Sequence, residues 1–260
     1  MRAALAFAPV HALHQTVQLL AEPYSDVRWL LPLHVLAVPL AVRRPRLGIG
    51  LVAVLGAAQC AATFPRTATH AWLGVVVSLL FLLVGDDDDA MKRAALALPC
   101  TVIFWSGVQK VVHGYWFHGE LLAWMMVSRG DVTFTLLPLL DDTARATLAP
   151  LKREVEGSGP FRLGGAWTAL ANAVWVSELA APAAALVPWL RARLWAVLLA
   201  FVWALQLVAH EWQFALLLTN LLLCAAPLPV QPKARGVAVA ALLALGAARV
   251  LGVDFPPELV

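Results

Sequence analysis

The sequence predicts an all-α fold, a polytopic membrane helix bundle of about nine transmembrane helices with its N-terminus inside. Three observations predict it. First, 61% of the 260 residues are hydrophobic and only 13% are charged, with a mean hydropathy of +0.78. A soluble chain carries roughly 25% charged residues, so this one has too few to cover a water-facing surface. That balance excludes an ordinary soluble enzyme, a disordered chain and a nucleic-acid binder, and it makes the lipid bilayer the first partner. Second, the apolar residues fall into nine helix-length runs. Third, the basic residues alternate between the connections that join those runs.

The spans are expected at about 3–20, 27–42, 47–63, 69–84, 94–112, 166–188, 194–210, 212–228 and 236–252. Several are nearer 16 residues than the usual ~20, so their ends would snorkel or the bilayer would thin around them. Met1-Arg2 opens a polar-studded apolar run without a small-residue cleavage site, so the first run is read as a span and not as a signal peptide. Alternate connections carry Arg2, then Arg43, Arg44 and Arg46, then Lys92 and Arg93, then Arg191 and Arg193, then Lys233 and Arg235. The other side has only Arg28, Arg66 and Arg249 near its short connections. By the positive-inside rule the first side is cytoplasmic. The whole chain, 1–260, is then a single transmembrane domain, and the connection at 113–165 is an outer-face loop with short helices.

In that loop Asp141 and Asp142 are placed to cap a helix of about 142–149 that Pro150 stops. Gly157-Ser158-Gly159-Pro160 breaks the chain before the next span. Asp86–Asp89 falls on the cytoplasmic side, as a solvated loop that stops a span or as a divalent-cation site. Cys60, Cys100 and Cys224 all lie in apolar runs, with no CxxC and no Cys/His cluster. A disulfide framework, a structural zinc and a thiol relay are therefore not expected, and neither is any other metal.

Ionisable groups inside spans are costly and face protein or water. Lys110 ends the fifth span in Ser106-Gly107-Val108-Gln109-Lys110. It can snorkel to the interface, or it can sit in a dry site where a neutral amine acts as a base. Ser106 and His113 share its helical face, and Gly107 allows a helix or a flat ligand to approach. His70, after the N-cap candidate Thr69, starts the fourth span at the same outer depth. Glu178 lies mid-span in the sixth run, where it must be protonated or paired; His34 and Gln206 are candidate partners. His11, His14 and Gln18 recur on one face of the first span, as a polar seam between helices or as metal ligands. Of eleven tryptophans, Trp29, Trp72, Trp116, Trp167 and Trp212 suit an interfacial belt. Trp105, Trp175 and Trp203 lie deeper, packing in lipid or stacking on a flat ligand such as a quinone.

Ser106-Gly107-Val108-Gln109-Lys110, with Tyr115-Trp116 and Gly119-Glu120 after it, resembles a motif of the vitamin K-dependent gamma-carboxylase superfamily. Its bacterial members are often called horizontally transferred transmembrane (HTTM) domain proteins. Thr69-His70-Ala71-Trp72-Leu73 is similar to the family's Asn-His-x-Tyr-Leu. Ala225-Ala226-Pro227-Leu228, with Gln213-Phe214 before it, resembles the end of the eighth span. Glu178 with Arg191 and Arg193 follows the family's acid-then-arginine pattern. The matches run in the family's order over roughly 40–230.

The resemblance implies Lys110 as the base that deprotonates a reduced quinone and His70 as its helper, with Trp105, Gly107, Trp116 and Glu178 around the cofactor. In the carboxylase, reaction with O2 then gives a strong base that removes a glutamate γ-proton, and the carbanion adds CO2. By the same resemblance the cofactors are a vitamin K hydroquinone-like quinol, O2 and CO2, the substrate is a small molecule or peptide at the outer face, and the location is a bacterial inner (plasma) membrane. Three departures stand out. Trp116 comes one residue later than in the carboxylase, Thr69 replaces Asn, and Gln206 stands where many members carry His. The carboxylase's large luminal region has no counterpart after the ninth span, which implies a small-molecule, lipid or quinone reaction over protein carboxylation. Two other classes remain open: a non-catalytic partner, immunity or assembly protein, and a transporter with Glu178, His34 and Gln206 along its path.

Overall fold

The computed structural model describes residues 3–21, 25–64, 69–85, 87–128, 132, 136–151, 164–209, 212–227 and 230–251. Among these the regular structure is helical throughout, without a strand. The α-helices are α1 (Ala3–Ala21), α2 (Leu31–Arg43), α3 (Pro45–Thr63), α4 (Thr69–Val84), α5 (Asp88–His113), α6 (Glu120–Ser128), α7 (Asp142–Leu151), α8 (Gly165–Ala184), α9 (Pro188–Arg191), α10 (Leu194–Ala209), α11 (Trp212–Ala225) and α12 (Gln231–Val250). Two of them, α3 and α5, are long and apolar enough to cross a membrane. Ala71–Val84, Leu194–Leu205 and Trp212–Ala225 are shorter apolar helices.

Prolines and caps explain where the helices depart from the expected spans. The run expected from 27 begins with a 3₁₀ turn, Ser25–Leu30, and becomes α-helical only with Pro32 in its first turn. Pro45 restarts the chain after a single residue, Arg44. The run expected to reach 188 stops at Ala184, because Pro188 opens α9 and holds Val187 in an extended conformation. The fifth helix starts six residues earlier than expected. The Asp87 carboxylate accepts the amides of Asp89 and Ala90 at 2.9 and 3.0 Å, so the acidic run caps the helix. Asp89 adds an exposed pair with Lys92.

The described chain divides into two compact units. One comprises Met1–Ala97 with Glu211–Phe255, the other Leu98–His210 with Pro256–Val260. In the first unit α1 packs on α2, α3, α11 and α12, and α3 packs on α4. Gly48 of α3 sits against the backbone of Ala41 on α2, where any side chain would collide. The α1 face that recurs at three and four residues is a buried polar seam. His11 Nε2 donates to Ser78 Oγ at 2.8 Å, and His14 Nε2 donates to the Gln213 carbonyl at 2.8 Å. Gln15 Nε2 donates to His14 Nδ1 and Gln18 Oε1. The histidines therefore join helices by hydrogen bonds.

In the second unit the expected outer loop builds its own core. Leu122, Ala123, Met126 and Val127 of α6 pack with Leu136, Leu140, Ala144 and Leu148 and with Ala171 of α8. Asp141 caps α7, accepting the Ala144 amide at 2.7 Å. That helix ends at Leu151, directly after Pro150.

Candidate functional site

The second unit brings three of the expected site residues together. Gly107 lies where α5 and α8 meet closely: a Cβ there would lie 3.0 Å from Glu178 Cβ and 3.1 Å from the Leu179 side chain. One turn further along α5, Lys110 Nζ donates to Glu178 Oε1 at 2.8 Å. The same ammonium donates to Ser106 Oγ at 2.7 Å, and Ser106 Oγ donates to Glu178 Oε1 at 3.3 Å. The three groups close a triangle. Glu178 is buried, with its side chain 3% exposed, whereas the Lys110 side chain retains 15% exposure. Glu178 Oε2 is buried without a hydrogen-bond partner among the described residues.

Trp116 completes the arrangement. Lys110 Nζ lies 4.9 Å from the centre of its ring, a cation–π distance. The segment after α5 is shaped to put it there. The helix ends when the Gly114 amide donates to the Lys110 carbonyl at 3.1 Å, with Gly114 at φ +70°. Gly119, at φ +71°, turns the chain into α6. Between them, Asn172 Nδ2 of α8 donates to the Phe117 carbonyl at 3.0 Å, and Thr168 Oγ1 donates to the His118 carbonyl. Trp175 Nε1 holds Asn172 Oδ1 at 2.8 Å, and its ring meets Phe117 edge-on. Trp116 also packs against the α6–α7 core. One face of α8 thus clips the segment, and α6 and α7 support the ring over the amine.

Sequence reasoning missed the Lys110–Glu178 pair, naming His34 and Gln206 as candidate partners for the acid. The signal was present, since these are opposite charges in two apolar runs. It also missed the clip by Asn172 and Thr168. Gly114, four residues after Lys110, was the readable sign of the helix end. Other expectations fall elsewhere. Trp105 is 59% exposed and lies five residues before Lys110, on a different face of α5. His113 stacks on Tyr115 and stands in the open rather than joining Lys110. His70 belongs to the first turn of α4 in the other unit, and its side chain lies outside the described residues, as does that of Gln206. His34 is fully buried in the first unit, with neither ring nitrogen hydrogen-bonded among the described residues.

In the acidic run Asp87 caps α5 and Asp89 pairs with Lys92. Asp87 is exposed, and the Ala90 amide above all holds its carboxyl below the usual carboxylate range, with the Asp89 amide and Arg93 adding to the effect. Asp86 lies outside the described residues.

The fold and site define an all-helical, strongly apolar protein with a buried acid–base pair beneath an aromatic ring. No family model matches the chain, and no curated protein or solved structure matches it either.

Proposed function

We propose that the chain is a multi-pass integral membrane protein of the gamma-carboxylase/HTTM type, with about nine spans, in a bacterial plasma membrane. In this reading Lys110 draws a proton from a flat, lipid-soluble substrate of the quinol class at the outer face. The observation that carries the reading is the Lys110 amine, held by Ser106 and Glu178 with Trp116 over it. An aromatic face suits a flat ring, and the amine keeps some exposure while its acid partner is sealed.

Lys110, Trp116 and Glu178 are the residues that would hold such a quinol. When bound, the quinol would supply an acidic hydroxyl and two reducing equivalents toward O2, with CO2 as the electrophile that a carbanion adds in a carboxylase-like reaction. The chain's own part is to orient the ring and exclude water, and to take the proton at Lys110 Nζ.

Lipid mass spectrometry of the purified protein, beside Lys110→Ala, tests this. A quinone enriched in the wild type and lost in the variant, followed by quinol-dependent oxygen uptake, is the expected result. Absence of any quinone from the wild type, together with unaltered behaviour of Lys110→Ala, would overturn it in favour of a non-catalytic membrane partner protein.

A further inference from the structure

We propose that Glu178, not Lys110, is where the substrate's proton comes to rest, and that Lys110 and Glu178 act as a relay pair on an acidic aromatic hydroxyl. The inference rests on the base reading above and deepens it. A lysine ammonium 2.8 Å from a carboxylate is not itself a base, because it already carries its full set of protons. The proton-accepting capacity of the pair resides in the carboxylate. The geometry gives it a route. Nζ is the member of the pair with exposure left, so it meets the incoming hydroxyl, whereas Glu178 is sealed behind it.

The step balances as follows. Nζ first passes one of its own protons to Glu178 Oε1 across the 2.8 Å contact, which frees its lone pair, and the hydroxyl O–H bond then breaks as its proton bonds to Nζ. Lysine remains an ammonium, glutamate becomes a carboxylic acid, and the substrate becomes an oxyanion. No electrons change hands and no other reactant is needed. The pair begins with no net charge and ends with one positive charge beside the new anion, so the product is held by the group that made it. Ser106 suits both states. Its hydroxyl now accepts from Nζ and donates to Oε1, and a hydroxyl can reverse to accept from a protonated Oε1. Among the described residues Oε2 has no donor, so the carboxylate is short of the hydrogen bonds its charge calls for, and a proton relieves that shortage. Glu178 therefore acts through Lys110, as a positioning and proton-storing residue.

The test uses the full chain in lipid nanodiscs with 4-nitrophenol as the probe, read by the absorbance of its phenolate and by the infrared carbonyl band of a protonated carboxyl. At a pH where the free probe is neutral, the wild type should bind it as phenolate, and a carboxylic-acid band should rise with binding. Glu178→Gln should still bind the probe but lower the phenolate fraction about tenfold or more, the equivalent of one pK unit, and should lack the band. Glu178→Asp should recover part of both signals, which a purely structural role would not predict. Undiminished phenolate in Glu178→Gln would overturn the relay and leave Lys110 as the base. Undiminished phenolate in Lys110→Met, or no binding by the wild type, would overturn the base reading and the relay with it.

Discussion

Breaking the Lys110–Glu178 pair from one side should cost far more than removing it whole. At 2.8 Å, with an effective dielectric constant of about 20, the attraction between the two charges is about 6 kcal/mol. Most of that is offset by taking both groups out of water, which costs several kcal/mol per ion. The net worth of the pair is therefore small. Removing Lys110 alone leaves a carboxylate with a 3%-exposed side chain and, among the described residues, only Ser106 as donor, and such a change costs about 3–5 kcal/mol. Where 1 kcal/mol moves Tm by roughly 2–4 °C, Lys110→Met should melt about 6–20 °C below the wild type. The double variant Lys110→Met/Glu178→Leu fills the same space with apolar groups and should return to within about 1–2 kcal/mol of the wild type, or above it. Intrinsic tryptophan fluorescence during thermal denaturation in nanodiscs ranks the wild type, these two variants and Glu178→Leu alone. Additive losses, with the double variant least stable of all, would refute the burial argument, because they would mean the groups do not interact.

The remaining predictions concern the residues that position the pair. Gly107→Ala gains about 1 kcal/mol of helix propensity against a tight contact with Glu178, so it should be near neutral, whereas Gly107→Val should cost about 1–3 kcal/mol by melting and weaken the pair. Gly114→Ala, at φ +70°, should cost about 1–2 kcal/mol and shift the emission of Trp116; an unchanged spectrum would mean the turn does not set the ring. Asn172→Leu removes donors to two carbonyls and an acceptor for Trp175, and should cost about 1–3 kcal/mol while raising hydrogen exchange at 114–119. At the acidic end of α5 the Asp87 carboxyl titrates below its unfolded value, so its cap is fully in place above the ordinary carboxylate range and is lost as pH falls through the lowered value. The Asp89 and Ala90 amides should then lose protection, measured against their intrinsic exchange rate at each pH, and Asp87→Asn should flatten that dependence.

The helical class could be read from the sequence because charge content and apolar run length are properties of the chain alone. Element ends were legible where one residue decides them, as Asp141 does for α7, and less so where two signals compete. At residues 86–89 the acids were read as a stop for a span; the helix includes two of them because Asp87 satisfies its first free amides. The site was legible one element at a time. Ser106, Gly107 and Lys110 lie on α5 at a spacing any helix would honour, so their shared face was readable. Glu178 is 68 residues away, and nothing in local periodicity says which face of α8 meets α5. That is settled by the missing side chain of Gly107 and by Asn172 and Thr168 gripping the turn after α5. The outer loop hid its structure for a related reason: α6 and α7 are short and bury their apolar faces on each other and on Ala171, a pattern a span search does not seek.

The cost of the pair bears on which reading of the site is preferable. An apolar pair at 110 and 178 would hold α5 to α8 at least as well as an ion pair, because packing makes no desolvation demand. The surrounding structure is nonetheless built around the charges. Gly107 brings the backbones together so that Glu178 reaches Nζ, Ser106 bridges the two, and Gly114, Asn172 and the α6–α7 core hold Trp116 over the amine. A snorkelling lysine would need none of this, since its amine would reach for water at the helix end. Lys110 instead turns toward a buried acid while a fraction of its side chain remains open. A group that is costly to keep, jointly supported by three helices and still reachable is better explained by what it does to a visiting molecule than by what it does for the fold.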